Sequence, residues 1–319
     1  MDFFETTMAD FNRMIEYRKS VGFATTTYEY SIPAFIKYSA ENHPNATQIT
    51  KEMVDDWLNH YQYKTSNSQS VFISMLRQFA GFIQANGKQS FIPDEDYSVK
   101  KEKYDPYIFN DNELKTLFNT IDQYKPYYGY KEKFHADRIL PVLFRMMYCC
   151  GMRPSEPLHL RTEDVDLDTG DIFIRKTKHN KERHIVMSDD MMQLCRFYKA
   201  VIGDHEWFFP HPDGGFLSTH WMTYQFHVCW NKSGLLKRSN PRPYDLRHAF
   251  ATRTMMRWID DGKDVMALLP YLSAYLGHAE IKSTLYYIHL LPDHIRKSAG
   301  INWEMFSNIY EEVGCYEEN

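Results

Sequence analysis

Apolar residues recur three and four positions apart along much of the chain, the spacing that lines one face of an α-helix. Met53, Val54, Trp57, Leu58 and Tyr61 form such a stripe over 50–61, where Thr50 stands ready to cap the first turn. Val71, Met75, Leu76, Phe79, Phe82 and Ile83 form a longer one over 68–86, and residues 28–38 read the same way. The first 95 residues are therefore expected to make a small all-helical domain. The periodicity then breaks. Residues 92–106 are charged, carry a proline near each end and show no apolar spacing, which predicts a linker over 96–106 and a second domain over 107–300.

In that second domain Asn110 is followed three residues on by Glu113, a capping-box signature for a helix bearing Leu114, Leu117, Phe118 and Ile121. The tyrosine-rich stretch 124–130, with Pro126 and Gly129, reads as a loop. Ile139, Val142, Leu143, Met146, Met147 and Cys150 then share a helical face that Gly151 stops, so Arg153 emerges just past a helix end. Asp168-Thr169-Gly170-Asp171 is a turn. Ile172 and Ile174 alternate before a basic tip, and Ile185 and Met187 alternate after it, which predicts a hairpin. Leu246, Phe250, Met255 and Trp258 mark a helix over 243–258 with Arg247 and His248 beside its apolar stripe. Residues 265–276 form another, ended by Gly277 in the position of a left-handed cap. Last, Trp303, Phe306, Tyr310 and Val313 outline an amphipathic helix in a tail over 301–319.

Composition narrows the function classes. The 319 residues suit two domains, and 43% hydrophobic content is ample for two cores. No run approaches the roughly 20 apolar residues of a membrane span, and Met-Asp-Phe-Phe-Glu at the start lacks the basic and apolar regions of a signal peptide. A soluble, cytoplasmic protein without membrane partners is expected. The five cysteines are odd in number and lack metal-ligand spacing, so neither disulfides nor a metal site is expected, and no cofactor is implied. The net charge of −5 argues against nucleic acid until it is localised. Residues 301–319 hold Glu304, Glu311, Glu312, Glu317 and Glu318 and no Lys or Arg, so the rest of the chain is balanced. Within it, Arg175, Lys176, Lys178, Lys181 and Arg183 crowd one run, and Arg242 and Arg247 belong to another. Two basic runs of this kind predict a phosphate-facing surface, with Arg175, Lys176, Lys181, Arg183 and Arg242 as DNA contacts.

The candidate chemistry lies in five polar clusters: Gly151-Met152-Arg153-Pro154-Ser155-Glu156, the run from Lys176 to Arg183, Tyr244-Asp245-Leu246-Arg247-His248, Leu276-Gly277-His278, and Tyr287 with His289. Two arginines from distant segments can clamp one phosphate bidentately and keep their charge as a phosphoryl-transfer transition state develops. A tyrosine then stands as the candidate nucleophile. In order and spacing these clusters resemble the tyrosine recombinases, the phage integrase family that includes the Xer recombinases. The first family box, Gly-Leu-Arg-x-Ser-Glu, is matched at 151–156, and the second, His-x-Leu-Arg-His with Leu-Gly-His and Tyr-x-His, is matched by Leu246, Arg247, His248, Leu276, Gly277, His278, Tyr287 and His289. Tyr244 departs from the pattern, standing where the family usually has a histidine, although a phenol can still donate to a phosphate oxygen.

The resemblance implies a mainly α fold with a small antiparallel β-hairpin: a helical core-binding domain that closes over DNA, followed by a mixed α/β catalytic domain. It implies catalytic roles for Arg153, Lys178, Tyr244, Arg247 and His278, with Tyr287 as nucleophile and with Glu156 and His248 supporting them. Lys178 precedes the Lys181-Glu182-Arg183 run as the family's hairpin lysine does, while Lys176 and Lys181 stay open as the general acid. Tyr287 rather than Tyr286 is selected because it lies nine residues after His278 and two before His289. The implied reaction attacks a DNA phosphate, forms a 3′-phosphotyrosyl ester, frees a 5′-hydroxyl and needs neither metal nor ATP. The expected partners are double-stranded recombination sites, three further copies of the chain in a tetramer on DNA, and an accessory directionality factor. Integration or excision of a mobile element is the expected role. A chromosome-dimer resolvase, a type IB topoisomerase-like enzyme and a catalytically silent DNA-binding regulator are the alternatives.

Overall fold

The computed structural model describes residues 2–97, 99, 104–125, 135–175, 182–235 and 240–291. The chain divides into two compact units, Met1–Lys103 and Tyr104–Asn319.

The first unit is helical, with α1 (Phe3–Ser20), α2 (Thr26–Asn42), α3 (Lys51–His60) and α4 (Ser66–Ala85). Their apolar faces meet in a core where Ile32, Phe35, Ile36, Met53, Val54, Leu76 and Phe79 are sealed from solvent. Each such side chain contributes about 1.5–3 kcal/mol by leaving water. Caps set the helix starts: Asp2 accepts from the Glu5 amide at 2.8 Å, Thr50 from Met53 at 3.4 Å and Thr65 from Ser68 at 3.1 Å. The helix α1, which the sequence reading passes over, packs on α2 and α4. Residues 91–97 belong to this unit as well, since Arg77 donates to the Pro93 carbonyl at 2.7 Å and Tyr97 to Asp55 at 2.5 Å.

The second unit carries α5 (Asp111–Asp122), α6 (Ala136–Cys149), the short α7 (Ser155–Leu158), strands β1 (Asp171–Ile174) and β2 (Arg183–Val186), α8 (Asp189–Ile202), α9 (Thr219–Lys232), α10 (Asp245–Asp260), α11 (Val265–Leu276) and α12 (Lys282–His289). The expected capping box holds: Asn110 and Glu113 each accept the other's backbone amide at 2.9 Å. Leu140, Leu143, Phe144, Met146 and Met147 of α6 are fully buried, and α6 packs on α5, α8 and α10. The strands pair antiparallel with Ile172 opposite Ile185 and Ile174 opposite Arg183. Among the described residues that makes a mainly helical fold with one small two-stranded antiparallel sheet. A second cluster joins α10, α11 and α12 through Met255, Leu269, Leu272, Leu276 and Ile288. Among the described residues no helix is long and apolar enough to cross a membrane.

Candidate active site

Two helix ends meet at a buried cluster of polar side chains. Just past α6, Gly151 takes φ 62°, and a Cβ there would lie 2.5 Å from the Phe250 ring. Only glycine meets both conditions. The turn it makes delivers Arg153 and then Glu156 in α7. The helix α11 ends in the same manner at Gly277, φ 68°, where the His278 amide donates back to the Ser273 carbonyl at 3.0 Å. Carbonyls at helix C-termini lack intrahelical donors and carry partial negative charge. Here arginines satisfy them.

Arg247, in the first turn of α10, is fully buried. Its Nη1 donates to the Gly151 carbonyl at 2.8 Å and its Nη2 to the Leu276 carbonyl at 2.7 Å, with His278 Nε2 at 3.0 Å from Nη2. A guanidinium has no acceptor, so His278 Nε2 accepts and the imidazole proton sits on Nδ1, which donates to Thr284 Oγ1 at 2.7 Å. Burial, followed by the charges of Arg247, Arg153 and Arg183, pushes the His278 pKa down to about 2. Burial and Arg247 do the same to His248, at about 3. Both imidazoles are therefore neutral. Burial lowers the pKa of Arg247 too, yet the phenols of Tyr244 and Tyr287 and the Glu156 carboxylate outweigh it and hold the guanidinium charged.

Arg153 joins the same cluster, its Nη2 donating to the Gly277 carbonyl at 2.8 Å and its Nη1 to Glu156 Oε1 at 3.0 Å. The Arg153 amide also donates to Glu156 Oε2, at 2.7 Å. Glu156 in turn receives both Nη atoms of Arg183, at 2.7 and 2.8 Å. Burial raises the Glu156 pKa, but the Arg183 hydrogen bonds and charge, then Arg247 and Arg153, bring it below the usual carboxylate range.

Tyr287, on α12, is fully buried. Its ring stacks on His278, with centroids 5.9 Å apart and planes 20° from parallel, and its phenol lies near enough to Arg247 to act on the guanidinium electrostatically. The Tyr286 ring lies 6.3 Å from His248 and 6.2 Å from Tyr287. Tyr244 precedes α10, its ring 4.9 Å from His248, and its phenol acts on both Arg247 and Arg153. The pocket thus gathers Arg153, Glu156, Tyr244, Arg247, His248, His278 and Tyr287 from α7, α10, α12 and the turns after α6 and α11.

The expected DNA contacts fare differently. Arg183 turns inward, because it shares the buried face of β2 with Ile185 and is spent on Glu156 and on the Tyr275 carbonyl, 2.8 Å from its Nε. Arg175, two residues beyond Phe173 on the outer face of β1, pairs with Asp164 at 2.6 Å and Glu163 at 2.9 Å. Arg242 lies over the Tyr104 ring, and its amide donates to Asp245 at 2.6 Å. Lys176, Lys178 and Lys181 lie outside the described residues, as do 126–134 and the 301–319 stripe. Thr284 and the carbonyls of Gly151, Leu276 and Gly277 were not foreseen. The sequence signal for them was the pair of cap glycines.

A mainly helical catalytic unit with paired arginines, neutral histidines and a buried tyrosine at one point defines the tyrosine-type site-specific recombinases, enzymes that recombine DNA. The phage integrase family model matches residues 108–294, and the chain belongs to that family. Over 306 residues it is 27% identical to the tyrosine recombinase XerD of Staphylococcus aureus, covering 92% of this chain and 97% of that one. The XerH recombinase bound to palindromic difH in a post-cleavage complex shares the fold at a TM-score of 0.60 and 21% identity, over 88% of this chain and 79% of XerH. A lambda integrase tetramer bound to a Holliday junction does so at 0.63 and 16%, over 93% of this chain and 79% of that one.

Proposed function

We propose that the chain cuts and rejoins DNA through a 3′-phosphotyrosyl ester on Tyr287, and that it does so to integrate or excise a mobile element. What carries the chemistry is the convergence of Arg153, Arg247, His278 and Tyr287, which lie far apart in sequence, on one pocket. Arg153 and Arg247 receive the scissile phosphate and stabilise the charge that grows on its oxygens. His278, a neutral imidazole whose Nδ1 proton is held by Thr284 and whose Nε2 lone pair faces Arg247, takes the phenol proton at Nε2 as Arg247 turns to the phosphate and Tyr287 attacks. Arg247 at the phenol favours the phenolate as it forms. Tyr244 supplies a further hydroxyl donor where the family pattern has histidine. Lys178, by its place in the motif, protonates the departing 5′ oxygen. The ester stores the energy of the broken bond, so a partner 5′-hydroxyl can attack it and reseal the strand.

Residues 1–95 serve as the core-binding domain, 96–106 as the linker, 107–300 as the catalytic domain and 301–319 as a segment exchanged between copies. The XerH complex and the lambda integrase tetramer on a Holliday junction support double-stranded DNA and a fourfold assembly as partners. Tyr287→Phe removes the nucleophilic oxygen and almost no volume. It should abolish covalent attachment to a nicked suicide substrate while leaving DNA binding within about threefold of the parent. An adduct that persists in Tyr287→Phe and vanishes in Tyr286→Phe would move the nucleophile by one residue. Sequencing the DNA that flanks the gene tests the biological role: element ends with inverted repeats support it, and a lone chromosomal site at the replication terminus contradicts it.

A further inference from the structure

We propose that Arg183 is a positioning residue of strand cleavage, fixing Glu156 so that Arg153 is presented to the scissile phosphate; the inference rests on the phosphate-binding role given to Arg153 above. The two strands show why this arginine is set apart from the rest of the basic run. Side chains alternate along a strand, and β2 buries Ile185, so Arg183 two positions earlier points the same way. Its side chain is 9% exposed. Nε, Nη1 and Nη2 all donate within the protein, to the Tyr275 carbonyl and to the two oxygens of Glu156.

The hydrogen bonds around Glu156 rank the partners. Oε1 receives Arg183 at 2.7 Å and the Arg153 side chain at 3.0 Å, while Oε2 receives Arg183 at 2.8 Å and the Arg153 amide at 2.7 Å. The Arg183 fork takes one lone pair on each oxygen and so sets the plane of the carboxylate. Arg153 gets what remains, a single side-chain bond. Arg183 also braces the second anchor of Arg153. A Cβ on Gly277 would come within 3.0 Å of Arg183 Cδ and Nη1, so the Arg183 stem lies flat on the residue whose carbonyl Arg153 grips at 2.8 Å.

Charge points the same way. Three guanidinium groups face one carboxylate, and His248 and His278 are neutral, which leaves two positive charges for a phosphate that becomes dianionic in the transition state. Without Arg183 the Glu156 carboxylate is free to close a two-pronged ion pair with Arg153 and draw it away from substrate. Lysine cannot substitute, because an ammonium is a point charge and cannot hold both carboxylate oxygens in one plane.

Single-turnover cleavage of a suicide substrate tests this, with either a normal scissile phosphate or a methylphosphonate, whose missing charged oxygen lowers the demand for a second cation. Arg183→Gln and Arg183→Lys should each cleave the normal phosphate about 100-fold more slowly per folded, DNA-bound protein, with DNA affinity changed less than about threefold. On the methylphosphonate both should come within about tenfold of the parent, as should Arg153→Ala. Joining Arg153→Ala to Arg183→Gln should add little to the Arg153→Ala loss on normal phosphate, because the two act as one unit. A full defect on the methylphosphonate, or multiplied losses in the double variant, overturns the role of Arg183. Parental cleavage by Arg153→Ala instead overturns the reading of the pocket itself. If Arg183→Gln does not fold, Arg183→Lys, which keeps the charge and loses the fork, decides the matter by the same two comparisons.

Discussion

Replacing Arg247 should cost the fold far more than replacing Arg153, although both arginines face the same phosphate in the proposed reaction. Arg247→Ala strips donors from the Gly151 and Leu276 carbonyls and from His278 Nε2, all inside a fully buried site. A buried acceptor left without a donor costs about 1–3 kcal/mol. Three of them, partly relieved by water entering the space left behind, give about 3–6 kcal/mol. Against a total stability of about 5–15 kcal/mol, that is a large share. Arg153→Ala orphans the Gly277 carbonyl alone, because Glu156 keeps the Arg183 fork, and the Arg153 side chain is already 17% exposed. Its cost should be about 1–2 kcal/mol. Native-state hydrogen exchange, read on peptides from α6, α10 and α11, separates the two without assuming that both units unfold together. Equal protection in the two variants, or an Arg247→Ala protein as protected as the parent, would refute the assignment of Arg247 as the tie between the two helix ends. The same numbers mean that cleavage by Arg247→Ala is informative only when counted per folded molecule.

Other outcomes follow from the same geometry. His248 and His278 stay neutral in the fold, at about 3 and about 2, whereas the unfolded chain takes up protons near pH 6.5. Stability should therefore be full above that pH and fall as pH drops below it, by up to about 2.7 kcal/mol per pH unit for the pair; His248→Asn should remove about half the slope between pH 6 and 5, and an unchanged slope in urea titrations contradicts the shift. Lys178→Ala should recover most of its cleavage on a 5′-phosphorothiolate strand, whose leaving group needs no proton; rescue of Lys176→Ala in its place moves the general acid by two residues. Removing 301–319 should preserve binding to one site and abolish the two-site complex in native gels; a truncated protein that still forms that complex excludes the exchange role.

Helices with a clean stripe and a cap were legible from the chain, as 50–61, 68–86 and the Asn110–Glu113 box show. The helix α1 was not, although Phe3, Thr7, Phe11 and Met14 bury one face of it; its stripe is diluted by a threonine, and the buried Asp10 beside it is matched by Lys88 at 2.7 Å, a partner far away in sequence. Arg153, Arg247 and His278 were readable beside a helix end or a helix start, whereas Tyr287 lies in the last turn of α12 and was picked out by its spacing from His278 and His289. What they bond to was not, since carbonyls at helix ends have no sequence identity. Arg183 is the instructive case. Counted as charge it belonged to a basic surface, but the alternation of Ile185 and Met187 carried one step back already placed it inside.

The chain enters the second unit at Tyr104, and that residue is fastened at once. Its hydroxyl donates to Asp245 at 2.6 Å, and the Arg242 guanidinium lies across its ring. Asp245 opens α10 and stands two residues before Arg247. Tyr104 thus clamps the residue that opens the helix bearing Arg247, so the first residue of the second unit and the base of α10 move as one piece.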